Sequence, residues 1–242
     1  MTAERPLWSV VIPAFNEAAR LPRYLEEVVA FLDGRGAPYE VIVVDDGSAD
    51  GTAAAVAAAS GRHPEVRLVR LPFNQGKGAA VRAGMLMARG TFRLFADADG
   101  ATPIAELKRL EPALEAGADV AVGSRALPDP AVSVRARLHR KYAGRVFSFL
   151  VTRAGVRGVV DTQCGFKALR AAPAEALFEA LQTTGFGFDV ELLLRAERLG
   201  YRVVEVAVNW ADQAGSKVGV LRHGPGMLWQ ILRARARVAR AG

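Results

Sequence analysis

Short apolar runs alternate with longer amphipathic stretches over the first 125 residues. Trp8–Ile12, Tyr39–Val44, Val66–Leu71, Phe92–Ala96 and Asp119–Val122 read as strands. Between them, Glu17–Leu32, Thr52–Ser60, Gly78–Ala88 and Pro103–Ala116 read as helices. Strands this apolar, spaced by helices, predict an α/β fold with a mostly parallel central sheet covered on both faces. In such sheets ligands bind beyond the carboxyl ends of the strands. The polar clusters fall there: Pro13-Ala14-Phe15-Asn16-Glu17, Asp45-Asp46-Gly47-Ser48, and Asp97 with Asp99.

After Arg125 the pattern changes. Leu127-Pro128-Asp129-Pro130 breaks the regularity, and a basic stretch follows. In it Leu138, Tyr142, Val146 and Phe149 recur at helical spacing, while Arg137, Arg140, Lys141 and Arg145 take other faces. Phe188–Leu199 reads as a helix and Tyr201–Val208 as a strand. From Gly226 the tail reads as a second basic amphipathic helix, with Met227, Leu228, Ile231 and Leu232 grouped and Arg233, Arg237 and Arg240 aligned.

The length of 242 residues suits one domain with a sizeable core. Met1 to Pro6 does not read as a signal peptide, and no apolar run approaches a bilayer span, so a cytoplasmic location is the expectation. A single cysteine, Cys164, excludes an internal disulfide and a Cys-rich metal site; it reads as a small buried residue. The net charge of +7 is segregated. No acid occurs from Val132 to Val160 or from Gln213 to Gly242, and these segments hold thirteen cations, leaving the rest of the chain at −6. Such segregation implies an anionic partner: lipid headgroups, nucleic acid or a phosphorylated substrate. Aromatic residues do not interleave with the basic helices, which argues against nucleic acid.

Asp97-Ala98-Asp99 sits where a buried strand gives way to a turn, Gly100-Ala101-Thr102-Pro103. Aspartate is an ordinary turn residue. Two carboxylates two residues apart at a strand end also suit Mg²⁺ or Mn²⁺, especially an ion carrying a diphosphate. Asp45 and Asp46 at their strand end suit hydrogen bonding to a base or ribose, beyond what helix capping explains. Asn74-Gln75-Gly76-Lys77-Gly78 places a lysine between glycines before a helix, a phosphate or nucleotide cradle that lacks Walker A spacing. Asp161-Thr162-Gln163-Cys164-Gly165-Phe166-Lys167 is polar and without helical or strand periodicity. Asp189 and Glu191 open a helix, where an N-cap or dipole role fits at least one of them.

Ile12-Pro13-Ala14-Phe15-Asn16-Glu17, Val43-Val44-Asp45-Asp46-Gly47-Ser48, Asn74-Gln75-Gly76-Lys77-Gly78 and the Asp-x-Asp recur in that order in the family-2 glycosyltransferases of GT-A fold, which this chain resembles. Gly123-Ser124-Arg125, Asp161 to Lys167, Phe188-Asp189-Val190-Glu191-Leu192-Leu193 and Val208-Asn209-Trp210 with Gly215-Ser216-Lys217 narrow the resemblance to dolichyl-phosphate β-glucosyltransferases and their polyprenyl-phosphate relatives.

The resemblance implies a single GT-A domain: residues 1–125 for the nucleotide sugar, 126–220 for the acceptor and 221–242 as the basic helix. By position, Pro13, Ala14, Glu17, Asp46, Lys77 and Asp97 would hold the uridine end of the donor, and Asp99, with Asp97, the Mg²⁺ or Mn²⁺. Arg125, Lys217 and Arg140 would receive the acceptor phosphate; Asp161, Gln163, Asp189, Glu191 and Ser216 would line the acceptor and sugar pocket. Asp97, Asp99, Arg125, Asp189 and Lys217 are the residues expected to carry the chemistry.

Mannosyl members of the group usually carry Gln where Ala101 stands, and the eukaryotic glucosyl members carry an N-terminal membrane anchor. Ala101 stands there as in the glucosyl members, which leaves the metal to water or another ligand; the resemblance as a whole implies glucose from UDP-glucose, with GDP-mannose as the alternative donor. The two basic amphipathic helices would supply peripheral attachment to the cytoplasmic face of a membrane.

Overall fold

The computed structural model describes residues 5–135, 156, 158–213 and 220–240. Seven strands form one sheet in the order β3-β2-β1-β4-β7-β5-β8: β1 (Trp8–Ala14), β2 (Tyr39–Asp45), β3 (Val66–Arg70), β4 (Phe92–Ala96), β5 (Val120–Ser124), β7 (Phe166–Arg170) and β8 (Val203–Ala207). All pairings in it are parallel except those of β7, which runs antiparallel between β4 and β5. A separate parallel pair, β6 (Val134–Arg135) and β9 (Trp210–Ala211), lies apart.

Alternation along the strands sends side chains to two cores. Trp8, Val10 and Ile12 face one, beneath α1 (Leu21–Asp33), α2 (Thr52–Ser60) and α4 (Leu107–Glu115). Val11, Ile42, Val44 and Phe95 face the other, beneath α3 (Lys77–Met87), α5 (Ala171–Ala180) and α6 (Phe188–Arg198). Ile231 and Val238 bring α7 (Val220–Arg240) onto this second core. The result is a three-layer sandwich with helices on both faces.

Three expected features shift. The first helix begins at Leu21, not Glu17, because Asn16 takes a left-handed conformation (φ 53°) and residues 17–20 turn before the helix starts. Phe166 and Lys167, read as the end of a polar cluster without strand periodicity, open the antiparallel strand β7, which is buried on both faces so that no alternation marks it. The tail helix begins at Val220 and not at Gly226. The basic amphipathic stretch expected around residues 138–149 lies outside the described residues.

Candidate active site

The order of strands reverses between β1 and β4, so a crevice opens at their carboxyl ends. The β1 end continues into Phe15, Asn16 and Glu17. This turn is tied to the one after β2: the Asn16 amide donates to Ser48 Oγ (2.8 Å), the Glu17 amide to Thr52 Oγ1 (2.8 Å), and the Ala49 amide to Asn16 Oδ1 (2.9 Å). The Glu17 carboxylate pairs with Arg20, whose Nη1 also stands 3.8 Å from Asp99. Sequence reasoning missed Arg20; its position three residues after Glu17 was the available signal.

Asp45 and Asp46 do different work. The buried Asp45 accepts from the Ser48 amide and faces Arg70. Asp46 accepts from the Gln75 and Gly76 amides at 2.7 and 2.9 Å, so its carboxylate braces the loop before α3. Burial pushes the Asp46 carboxyl above its ordinary pKa, against the pull of those two amides. Gly76 makes this loop possible: it has φ 102°, and a Cβ there would meet the Thr184 carbonyl at 2.6 Å.

The loop delivers Lys77, first residue of α3, to Asp97. Nζ lies 2.6 Å from Asp97 Oδ1. Burial disfavours the Lys77 ammonium, but Asp97 and Asp189 outweigh it and raise its pKa above the ordinary lysine value. Asp97 itself rests on Gly165: its amide donates to the Gly165 carbonyl (3.1 Å), and its carboxylate occupies the space where a side chain at 165 would begin. Asp99 accepts from the Ala101 amide at 3.1 Å. Burial and the nearby Asp97 charge raise the Asp99 pKa.

These two carboxylates fit a hard divalent cation. They are oxygen donors two residues apart at one strand end, with Asp99 largely buried beside Asp97. Among the described residues no set of three or more His, Cys, Asp or Glu side chains converges as a metal site. Two carboxylates of this kind suit Mg²⁺ or Mn²⁺, which are commonly held by one or two protein carboxylates.

On the other side of β7, Arg125 forms a bidentate pair with Asp161, both contacts 2.7 Å, and lies over the Trp210 ring at 5.5 Å. Burial raises the Asp161 pKa, but the charge and hydrogen bonds of Arg125 together with the Lys167 charge hold the carboxylate below its ordinary value. Gln163 Nε2 donates to the Phe186 carbonyl at 3.3 Å. Asp189 is buried and pairs with Lys167 at 2.5 Å, a partner that sequence reasoning left within a motif and gave no role.

Glu191 does not join this group. Two positions past Asp189 on α6, it points about 200° around the helix. There it accepts from Thr183 through its amide and hydroxyl, from the Gln182 amide, and from Arg195 at 2.7 and 2.9 Å. These bonds make it a clamp on the α5–α6 connection. Cys164 is buried and its thiol is pushed up to about 11 by burial, in keeping with a packing role. Arg140, Ser216 and Lys217 lie outside the described residues.

Glycosyl transferase family 2 matches residues 9–178. A dolichyl-phosphate beta-glucosyltransferase of Drosophila melanogaster is 45% identical over 224 residues, covering 87% of this chain and 68% of that protein. Its human counterpart is 38% identical over 223 residues, with 87% and 69% covered. Among solved structures, glucosyl-3-phosphoglycerate synthase from Mycobacterium tuberculosis, in complex with Mn²⁺, UDP and glucosyl-3-phosphoglycerate, aligns with a TM-score of 0.70 at 22% identity. That alignment covers 96% of this chain and 80% of the synthase, and it carries the fold alone.

Proposed function

This chain belongs to glycosyl transferase family 2 and has the GT-A fold, and on that premise we propose that it transfers glucose from UDP-glucose to a polyprenyl phosphate of the dolichyl type. The observation that carries the reading is the junction of Asp97, Asp99 and Lys77 at the reversal of strand order, in a chain 45% identical to a dolichyl-phosphate beta-glucosyltransferase. On this reading residues 1–125 bind the donor and 126–220 the acceptor, followed by the basic helix α7 (Val220–Arg240).

The nucleophile is a phosphate monoester oxygen, already anionic at neutral pH, so no strong general base is needed. Catalysis then rests on alignment and on stabilising charge. Asp97 and Asp99 would hold Mg²⁺ or Mn²⁺, which would supply positive charge against the departing nucleoside diphosphate. Lys77 pairs with Asp97 and, with Pro13, Ala14 and Glu17, lies along the donor side, while Asp46 holds the loop that bears Lys77. Arg125, oriented by Asp161, and Lys217 receive the acceptor phosphate, with Arg140 and Ser216 on the acceptor side. Asp189 and Gln163 stand toward the sugar. A single in-line displacement inverts the anomeric centre and gives a β-linked product from an α-linked donor.

Among the described residues no helix is long and apolar enough to cross a membrane. α7 has no acid, and Trp229 and Leu232 are each 55% exposed on it beside Arg233. That combination suits peripheral contact with an anionic membrane surface, where the acceptor resides.

The test is release of nucleoside diphosphate from UDP-glucose with Mg²⁺ or Mn²⁺, with and without a short polyprenyl phosphate. Lipid-dependent release with a chloroform-soluble glucosyl product is expected. Release from GDP-mannose in its place overturns the donor, and silence with both overturns the reaction.

A further inference from the structure

Residues 182–187, which join α5 to α6, supply no side chain to the proposed reaction, yet the start of α3 and the tail helix meet on them. From the α3 side the contact is backbone against backbone. Ala79 is the third residue of that helix, so its amide has no acceptor within the helix. It donates to the Thr184 carbonyl at 3.1 Å, and a Cβ at Gly76 would lie 2.6 Å from the same oxygen. A Cβ at Gly78 would lie 2.5 Å from the Thr183 carbonyl oxygen and 3.0 Å from that of Gly185. Glycine on either side of Lys77 thus lets the two segments touch with no side chain between them.

From the tail side the contact is a single carboxamide. Gln230, on α7, accepts from the Gly187 amide through Oε1 at 3.0 Å. A Cβ at Gly185 would lie 2.5 Å from Gln230 Nε2 and 2.7 Å from Oε1, and one at Gly187 would lie 2.9 Å from Gln230 Cβ. Neither glycine has a positive φ, so what they provide here is close approach. A segment with glycine at both positions has wide conformational freedom, and its shape is set by what packs on it.

We infer that Gln230 is a positioning residue: by bracing Gly185 and Gly187 from α7, it fixes the backbone on which Gly76 and Ala79 are set, and with them the loop that bears Lys77. This deepens the proposed function by tying α7, there the helix that meets the membrane, to the donor site. It rests on that reading for the ligand affected and not for the contacts. A loosened loop must be ordered whenever donor binds, in the ground state and the transition state alike. The loss therefore falls on the donor KM and spares turnover at saturation.

The test compares Gln230→Met, which keeps the length of the side chain and removes the acceptor, with Gln230→Glu, which keeps an acceptor oxygen. Gly185→Ala presses on the same carboxamide from the other side and takes over if Gln230→Met does not fold. In Gln230→Met the Ala79 amide is expected to exchange with solvent about tenfold faster by NMR. The UDP dissociation constant in Mn²⁺ and the KM for UDP-glucose are each expected to rise about tenfold, with turnover at saturating donor within about twofold of the parent. Gln230→Glu is expected to bring exchange, affinity and KM back to within about threefold of the parent.

Parental Ala79 exchange, a parental donor KM, or a fall in melting temperature and turnover with KM unmoved each overturn the inference and leave Gln230 a fastener of the tail helix. A Gln230→Glu variant as impaired as Gln230→Met overturns it as well. If the parent neither binds UDP nor transfers glucose, the proposed function fails, while the exchange of Ala79 still decides whether Gln230 sets the loop.

Discussion

Replacing Gly165 by alanine tests whether the Asp97 carboxylate acts from where it stands. A Cβ at 165 would lie 2.2 Å from Asp97 Oδ2 and 2.4 Å from Cγ and Oδ1. Non-bonded carbon contacts settle at about 3.5–4.0 Å, so the carboxyl group must retreat by about 1 Å or more. The backbone offers little relief, since the Gly165 carbonyl holds the Asp97 amide and the next residue, Phe166, pairs with Ala96 in the sheet. Gly165 is not among the glycines of positive φ, so alanine adds no backbone strain there. The expected damage is therefore confined to the site. A misplacement of about 1 Å costs about 10²-fold in rate, or about 2.7 kcal/mol of transition-state stabilisation. Steady-state transfer to polyprenyl phosphate with saturating Mn²⁺, alongside a thermal melt, measures both quantities. A variant that keeps parental turnover and parental UDP affinity would show that Asp97 has no positional role, and the argument built on it would fail.

Asp99→Asn is expected to abolish turnover while the melting temperature at neutral pH holds or rises, because burial and Asp97 already disfavour the charged form; a lower melting temperature in differential scanning calorimetry would contradict this. Asp161 and Glu191 are both held below their ordinary pKa, against burial, by arginine and hydrogen-bond partners. Their contribution to stability is thus full above the unfolded carboxylate range, about 4, and is lost as pH falls through the lower folded values. Glu191→Gln is expected to flatten the acid side of the melting-temperature profile, and an unchanged slope there would refute the assignment. Trp229 emission is expected to shift to the blue on anionic vesicles and not on neutral ones, with Arg233→Gln weakening the response; equal shifts on both vesicle types would remove charge from the account.

Much of this architecture was legible in the chain because its strands and helices carry different periods. β4 appears from Phe92 to Ala96 as read, and α2 from Thr52 to Ser60 as read. β7 was hidden for a physical reason: buried between two strands and under helices on both faces, Phe166–Arg170 has no polar alternate, and its one charged interior residue, Lys167, looks like surface in a sequence. At the site, the carboxyl ends of β1, β2 and β4 announced themselves as polar clusters. What pattern could not supply was pairing at a distance. The bond from Asp46 to the Gln75 amide and the contact of Asp97 with Gly165 join segments remote in the chain. Asp189 and Glu191, adjacent in the motif, part company because a helix turns them to opposite sides.

The antiparallel strand also imposes an order on biosynthesis. β4 ends at Ala96, yet its outer neighbour begins at Phe166, and β5 and β8 attach to the sheet only through that neighbour. As the chain leaves the ribosome, the rim of β4 therefore waits unpaired while about seventy residues are made. Non-local pairing of this kind is slow, and an open strand rim in the meantime invites association with other chains. Insertion of the strand closes the rim and, through Gly165, seats Asp97 in the same event. A nascent or misfolded chain thus lacks the seated Asp97 carboxylate, which is completed together with the sheet.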